Sequence, residues 1–206
     1  MCKKEKISLE LVQCVPQSAE VFMLTFRAPA ACLKSARPGQ FFNLRPLDST
    51  APLLPRPISI CEIRPNLGEI DFLMRIHGEG TRLLSQRRPG AVVEAIGPLG
   101  NPFVWIPGKD VLLVAGGIGV APLYNLARVM KQEAQVAGVP AGKITFCYGS
   151  RKASDFMLMD KLDAVTDQVL LATEDGSRGE KGFVTRLVES QLASGAELFV
   201  CGPPAM

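Results

Sequence analysis

The hydrophobic period of this chain changes once, near Ile106-Pro107-Gly108-Lys109, and the change demands two architectures in one polypeptide. Ahead of it, Ile70, Phe72, Met74 and Ile76 alternate with Glu69, Asp71, Leu73 and Arg75, the period of two that a half-buried strand requires. Ile7, Leu9 and Leu11 repeat the pattern, as do Phe22, Leu24 and Phe26. Further short β runs cover Gln40–Arg45, Arg56–Ile63 and Ala91–Ile96, with turns such as Arg37-Pro38-Gly39, Asn66-Leu67-Gly68 and Arg88-Pro89-Gly90 between strands. Six short strands at this spacing predict a small antiparallel β-barrel over residues 1–106, interrupted by a short helix at Glu79–Arg87.

Beyond the boundary, strands alternate with helices. Val111–Ala115 reads as a buried strand, then comes a glycine loop and a helix with Leu123, Leu126, Ala127 and Met130 on one face. Strands at Lys143–Tyr148, Gln168–Ala172 and Glu197–Cys201 enclose helices at Asp155–Leu162 and Phe183–Leu192. This succession predicts βαβ units and a parallel sheet, so residues 107–206 form an α/β domain and the fold class is β + α/β. A sheet of this kind covers its last strand with a helix, whereas the sequence stops at Pro203-Pro204-Ala205-Met206. The expectation is a piece of a longer polypeptide.

Composition removes several functions. With 206 residues the chain fits one or two domains, and 47% hydrophobic residues exclude disorder as its dominant state. No apolar run nears the roughly 18 residues of a membrane span, and no signal sequence follows Met1-Cys2-Lys3-Lys4, so a cytoplasmic protein without a membrane role is expected. Its 23 basic and 20 acidic side chains are scattered, which argues against nucleic acid as a partner. No two of the six cysteines lie within ten residues, so zinc spacing and redox pairs are absent, and no metal site is expected in this chain. His77, the one histidine, reads as a surface residue at a strand end.

The segment Val114-Ala115-Gly116-Gly117-Ile118-Gly119-Val120-Ala121-Pro122 joins a strand to a helix. Glycines there admit close backbone approach by a ligand, and a helix N-terminus offers unpaired N–H groups to a pyrophosphate. Pro122 takes the place of the third glycine of the usual dinucleotide fingerprint, but in a first helical turn it has no needed N–H to lose. The other βα loops, Gly149-Ser150-Arg151, Thr173-Glu174-Asp175-Gly176-Ser177 and Cys201-Gly202-Pro203-Pro204, converge on the same crevice. Glu174-Asp175-Gly176 can equally be a simple turn, and Cys201 a small buried hydrophobe. In the barrel, Leu54-Pro55-Arg56-Pro57-Ile58-Ser59-Ile60 sets one cation and one hydroxyl on an apolar strand, while Gly78-Glu79-Gly80-Thr81 opens a short helix in a way suited to phosphate.

These motifs together resemble the ferredoxin–NADP reductase superfamily over almost the whole chain. The R-P-x-S of Arg56–Ser59, G-x-G-T of Gly78–Thr81, G-G-I-G-V-A-P of Gly116–Pro122 and C-G-P of Cys201–Pro203 occur in that superfamily's order. The finer resemblance is to electron-transfer subunits of type B dihydroorotate dehydrogenases. It rests on Gly97-Pro98-Leu99-Gly100-Asn101-Pro102-Phe103 and on the segment from Asp175 to Thr185, which reads D-G-S-R-G-E-K-G-F-V-T. Flavin subunits of sulfhydrogenases and of NADH-dependent ferredoxin:NADP oxidoreductases carry similar segments.

The resemblance implies an FAD-binding barrel followed by an NAD-binding domain. Arg56, Pro57, Ile58 and Ser59 would hold FAD, with Arg56 on its pyrophosphate and Ser59 beside the reactive edge of the flavin. Leu73, Met74 and Arg75 would line the adenosine side, and Gly80 and Thr81 would donate to phosphate. Gly116, Gly117, Gly119 and Pro122, with Gly202 and Pro203, would place the nicotinamide nucleotide, and Cys201 would stand near hydride transfer. Catalytic roles would thus fall to Ser59 and Cys201.

The implied function is that of an electron-transfer subunit in pyrimidine biosynthesis. Electrons from a catalytic, FMN-containing dihydroorotate dehydrogenase subunit, in a heterotetramer, would reach FAD and leave as hydride to NAD⁺. The [2Fe–2S] cluster of such subunits needs a cysteine-rich segment, so it is expected only in a full-length parent. NAD is expected over NADP, although Ser150, Arg151 and Lys152 stand where a 2′-phosphate can be gripped. The alternatives are a stand-alone or other-complex NAD(P)H:acceptor flavin reductase, and a nucleotide-binding docking module without turnover.

Overall fold

Ile70, Phe72 and Met74 point to one side of an extended segment, and a closed barrel forms around that side. The computed structural model describes residues 5–46, 54–191 and 195–203, and the chain divides into two units, Met1–Phe103 and Val104–Met206.

The first unit contains β1 (Glu5–Pro16), β2 (Val21–Arg27), α1 (Ala30–Ser35), β3 (Phe41–Pro46), β4 (Arg56–Arg64), β5 (Glu69–Arg75), α2 (Glu79–Ser85) and β6 (Val92–Leu99). The strands close in the order β1-β2-β5-β4-β3-β6, each pair antiparallel, so among the described residues the barrel leaves no open sheet edge. Leu9, Leu11, Leu24, Phe26, Phe42, Leu44, Ile60, Phe72 and Val93 fill the interior. Phe72 sits at its centre, meeting Phe26 and Phe42 edge to face with centroids 6.0 and 5.7 Å apart.

Two carboxylates inside the wall are neutralised. Glu94 on β6 bonds to Lys6 on β1 and to Arg45 on β3, 3.2 Å away, tying together the three strands that close the barrel. Asp71 on β5 is almost fully buried and accepts from Arg64 at the end of β4, whose Nη2 also reaches Glu69 at 3.0 Å. An unpaired charge there would carry a large desolvation cost.

The second unit contains β7 (Val111–Gly116), α3 (Val120–Ala137), β8 (Ile144–Ser150), α4 (Met159–Val165), β9 (Gln168–Thr173), β10 (Glu180–Lys181), α5 (Thr185–Glu189) and β11 (Glu197–Cys201). Its parallel sheet runs β10-β9-β8-β7-β11. β7 is buried along its whole length, as expected for an interior strand of a sheet covered on both faces. Chain order therefore reverses at β7, with β8 on one flank and β11 on the other.

The helices between β8 and β11 differ from the sequence reading. α4 starts at Met159 instead of Asp155, because a short 3₁₀ turn at Ala153–Asp155 comes first and Leu158 caps the helix with a left-handed φ of 60°. α5 spans only Thr185–Glu189, and Leu192, the end expected for it, lies outside the described residues.

Candidate functional site

The sequence motifs of the first unit gather at one end of the barrel. β4 and β5 are antiparallel neighbours, so the start of β4 at Arg56 and the end of β5 at Arg75 share that end with the Gly78–Thr81 turn. Arg56 pairs with Leu44, Ile58 with Phe42, and Ser59 with Phe41. Arg56 and Ile58 thus share one face of β4, while Pro57 and Ser59 take the other. Ile58 packs on the barrel core, and Pro57 is exposed.

Arg56 is half-buried, and its Nε is buried with no hydrogen-bond partner among the described residues. A guanidinium N–H held out of water without an acceptor is costly, and an anionic oxygen is the group that satisfies it. On this observation the end of the barrel fits a flavin pyrophosphate.

The five residues expected on the adenosine and phosphate sides differ in what they offer a ligand. Met74 is turned into the barrel core and is 1% exposed, so its side chain offers no ligand surface and only its backbone remains available. The strand period explains this, since Met74 shares parity with Phe72 while Arg75 is exposed and Leu73 is buried on the outer face. The Thr81 hydroxyl accepts from the His77 N–H at 2.6 Å and donates to the Gly78 carbonyl at 3.1 Å. Its single proton is thereby used within the turn, leaving donation to a phosphate to the first-turn N–H groups of α2, including that of buried Gly80.

In the second unit, the crevice beyond the carboxyl ends of β7 and β11 lies where the strand order reverses, the position at which ligands bind in open α/β sheets. Gly116 ends β7, Gly117–Gly119 form a tight turn, and Pro122 falls in the first turn of α3. Cys201 pairs with Ala115, which brings the Cys201-Gly202-Pro203 loop beside the glycine turn. A Cβ on Gly119 would stand 2.0 Å from the Cys201 carbonyl oxygen, so the two loops meet backbone to backbone. Gly117 has a φ of +53° and open space where a side chain would point. A cradle this bare of side chains suits the backbone recognition of a dinucleotide.

Gly202 and Pro203 are exposed and Cys201 is half-buried, while Pro204 lies outside the described residues. Burial pushes the Cys201 thiol up from its ordinary range, so it remains S–H at neutral pH and acts as neither base nor thiolate.

The outer loops are linked to one another. Glu174 N–H donates to Ser150 C=O and Asp175 N–H to Arg151 C=O, while Ala153 N–H donates to Ser177 Oγ at 2.7 Å. Hydrogen bonds from the Ser177 hydroxyl and amide hold the Asp175 carboxyl below the usual carboxylate range. Sequence reasoning missed Tyr148, a fully buried β8 residue whose hydroxyl reaches the glycine turn. Its signal was that of an ordinary core aromatic. Among the described residues, no three His, Cys, Asp or Glu side chains gather as a metal site, and no helix is long and apolar enough to cross a membrane.

Barrel, parallel sheet and glycine cradle together define an NAD-binding oxidoreductase of the ferredoxin-reductase-like fold. Residues 113–206 match the oxidoreductase NAD-binding domain. The structure of an NADH-dependent reduced ferredoxin-NADP oxidoreductase superimposes with a TM-score of 0.79 at 28% identity, over 95% of this chain and 67% of that one. More particularly, the chain is homologous to the electron-transfer subunit of dihydroorotate dehydrogenase B (NAD⁺). It is 39% identical to that of Bacillus pumilus over 82% of this chain and 63% of the relative. With that of a Geobacillus species it shares 38% over 82% and 64%. The chain thus spans about 63% of the length of the curated relatives it matches.

Proposed function

We propose that this chain is the FAD- and NAD-binding part of an electron-transfer subunit that carries electrons from a catalytic dihydroorotate dehydrogenase subunit to NAD⁺. The observation that carries the nucleotide half of the reading is the backbone contact between Gly119 and Cys201 at the strand reversal. The flavin half rests on the buried, unsatisfied Nε of Arg56. That the relatives are electron-transfer subunits of dihydroorotate dehydrogenase B supports a catalytic subunit as partner, and we extend this to a cytoplasmic heterotetramer with an FMN-containing subunit.

Bound FAD supplies hydride exchange with a nicotinamide and single-electron exchange with a one-electron carrier. The residues of the chain supply the rest. Arg56 neutralises the pyrophosphate, and the N–H groups of α2 donate to a phosphate oxygen. Ser59 offers a hydroxyl to the flavin edge. Gly116, Gly117, Gly119 and Pro122 receive the nucleotide through backbone, with Gly202 and Pro203 bounding it, and neutral Cys201 packs by the nicotinamide without moving a proton. Leu73 and Arg75 flank the adenosine. No side-chain general base is needed for this chemistry.

The test is NADH formation from dihydroorotate and NAD⁺ in three mixtures: the FAD-loaded chain alone, the chain with the catalytic subunit, and the full-length Bacillus pumilus relative with the catalytic subunit. Little or no turnover is expected in the first two and turnover in the third. NADH should still reduce FAD bound to this chain and pass electrons to a dye. Turnover by the chain alone would overturn the subunit reading. The second reading, a reductase serving another acceptor, draws on the likeness to the ferredoxin-NADP oxidoreductase. Rapid NADH-driven reduction of a ferredoxin by the FAD-loaded chain would favour it.

A further inference from the structure

We infer that Tyr148 is a positioning residue for nucleotide binding, acting through the carbonyl of Gly117. The inference rests on reading the glycine turn as the nucleotide cradle. The Tyr148 hydroxyl donates to the Gly117 carbonyl oxygen at 3.1 Å and accepts from the Met157 N–H at 3.4 Å. One buried phenol therefore links the loop after β7 to the loop after β8. Its ring is fixed independently of these bonds, edge to face with Phe156 at 4.8 Å and with Phe146 at 6.1 Å. Phe156 in turn lies under the Arg178 guanidinium, 5.8 Å from the ring centre, which brings the loop after β9 into the same assembly.

The hydrogen bond matters because of what Gly117 is free to do. With φ at +53° and no side chain, Gly117 leaves its own end of the peptide to Ile118 freer to turn than any other residue would, so the direction of its carbonyl depends on what bonds to it. In the present orientation the Gly117 carbonyl accepts from Val120 N–H and from the phenol, so both of its lone pairs are used. A flipped peptide would turn the negative end of its dipole into the cradle, where the ligand's own charge is negative. Tyr148 holds the carbonyl on the protein side and leaves the positive N–H ends for the ligand. It touches no reacting atom, so its effect belongs to binding rather than to chemistry.

Tyr148→Phe keeps the ring packing and removes only the hydroxyl. The FAD-loaded wild-type chain and variant are titrated with NADH, under anaerobic conditions, and with ADP-ribose, which cannot transfer hydride. We expect both affinities to fall about three- to tenfold, the range of one net hydrogen bond. The KM for NADH in dye reduction should rise by the same factor with kcat within about twofold, and FAD affinity should be unchanged. Amide exchange at Ile118 and Gly119 should accelerate while that of β7 and β8 stays the same. Unchanged affinity for both ligands overturns the inference. So does a loss of FAD binding and Tm that matches the loss of NADH binding, which marks a packing role alone. If the wild-type chain binds neither ligand, the reading of the cradle itself is wrong and the inference falls with it.

Discussion

Gly119 and the Cys201 carbonyl lie so close that a single methyl group on Gly119 would stand 2.0 Å from that oxygen, 2.5 Å from its carbon and 3.0 Å from the Gly202 nitrogen. All three atoms are backbone, fixed on one side by the pairing of β11 with β7. Gly119→Ala must therefore push two structural elements apart. We expect it to destabilise the second unit by about 1–3 kcal/mol, the usual cost of overpacking, and to abolish detectable NADH binding. FAD affinity should be retained, because the residues proposed to hold it lie in the first unit. Thermal unfolding followed with separate FAD and NADH titrations checks this, and normal NADH affinity would refute it.

Arg56→Ala should remove the cation from the barrel end without opening the core, since Phe42, Leu44 and Ile60 remain packed. A charge-assisted contact to phosphate is worth about 1.5–3 kcal/mol, so FAD affinity should drop about ten- to a hundredfold. Arg56→Lys should recover part of it, since the charge returns without the forked donors. Fluorescence titration of the apoprotein with FAD is the measurement, and equal affinity in all three proteins would dismiss the assignment.

Hydrogen bonding from Lys6, aided by the charge of Arg45, holds the Glu94 carboxyl below the usual range despite its burial. A depressed carboxylate stabilises the fold above its unfolded pKa of about 4.3, and that contribution is lost as pH falls through the lower folded value. Glu94→Gln should thus lower Tm at pH 7, and its Tm should converge on that of the wild type as pH drops below about 4. A gap in Tm that stays constant with pH would show that Glu94 contributes by packing instead.

NADH should be preferred to NADPH. Arg151 invites a 2′-phosphate, but the amides of Glu174 and Asp175 are bonded to the carbonyls of Ser150 and Arg151, which seats two acidic residues beside it. Asp175 is kept ionised by Ser177. Asp175→Asn should raise activity with NADPH severalfold relative to NADH, as like-charge repulsion is relieved. Steady-state kinetics with both cofactors decides this, and a wild-type preference for NADPH that Arg151→Ala abolishes would reverse it.

How far the sequence could be read depended on whether a residue's partner was periodic. β5 was legible because Ile70, Phe72 and Met74 all face one core, yet the same parity hid the fact that Met74 cannot line a ligand site. β4 obeys no simple alternation. A bulge between Ile60 and Glu62 leaves both Ile60 and Cys61 buried. α1 escaped notice because Ala30–Ser35 is too short to show a period, and β10 because two residues pairing with β9 leave no pattern. The glycine turn announced itself through residue type alone. Tyr148 did not, since its partner is a backbone carbonyl on another strand's loop, and no side chain marks where a carbonyl will point.

Placing β7 between β8 and β11 also sets an order of assembly. The barrel's closing partner, β6, ends at Leu99, so every strand of that unit is available before β7 begins to emerge from the ribosome. The second unit has no such economy. Its first strand waits for its last, because one flank of β7 stays bare until Glu197–Cys201 is made. Contacts between segments so far apart in sequence are slow to form, and an unpaired hydrophobic strand is open to wrong neighbours in the interval. A nascent chain therefore passes through a stage in which the flavin-binding half can be finished while the nucleotide-binding half is still an exposed half-sheet.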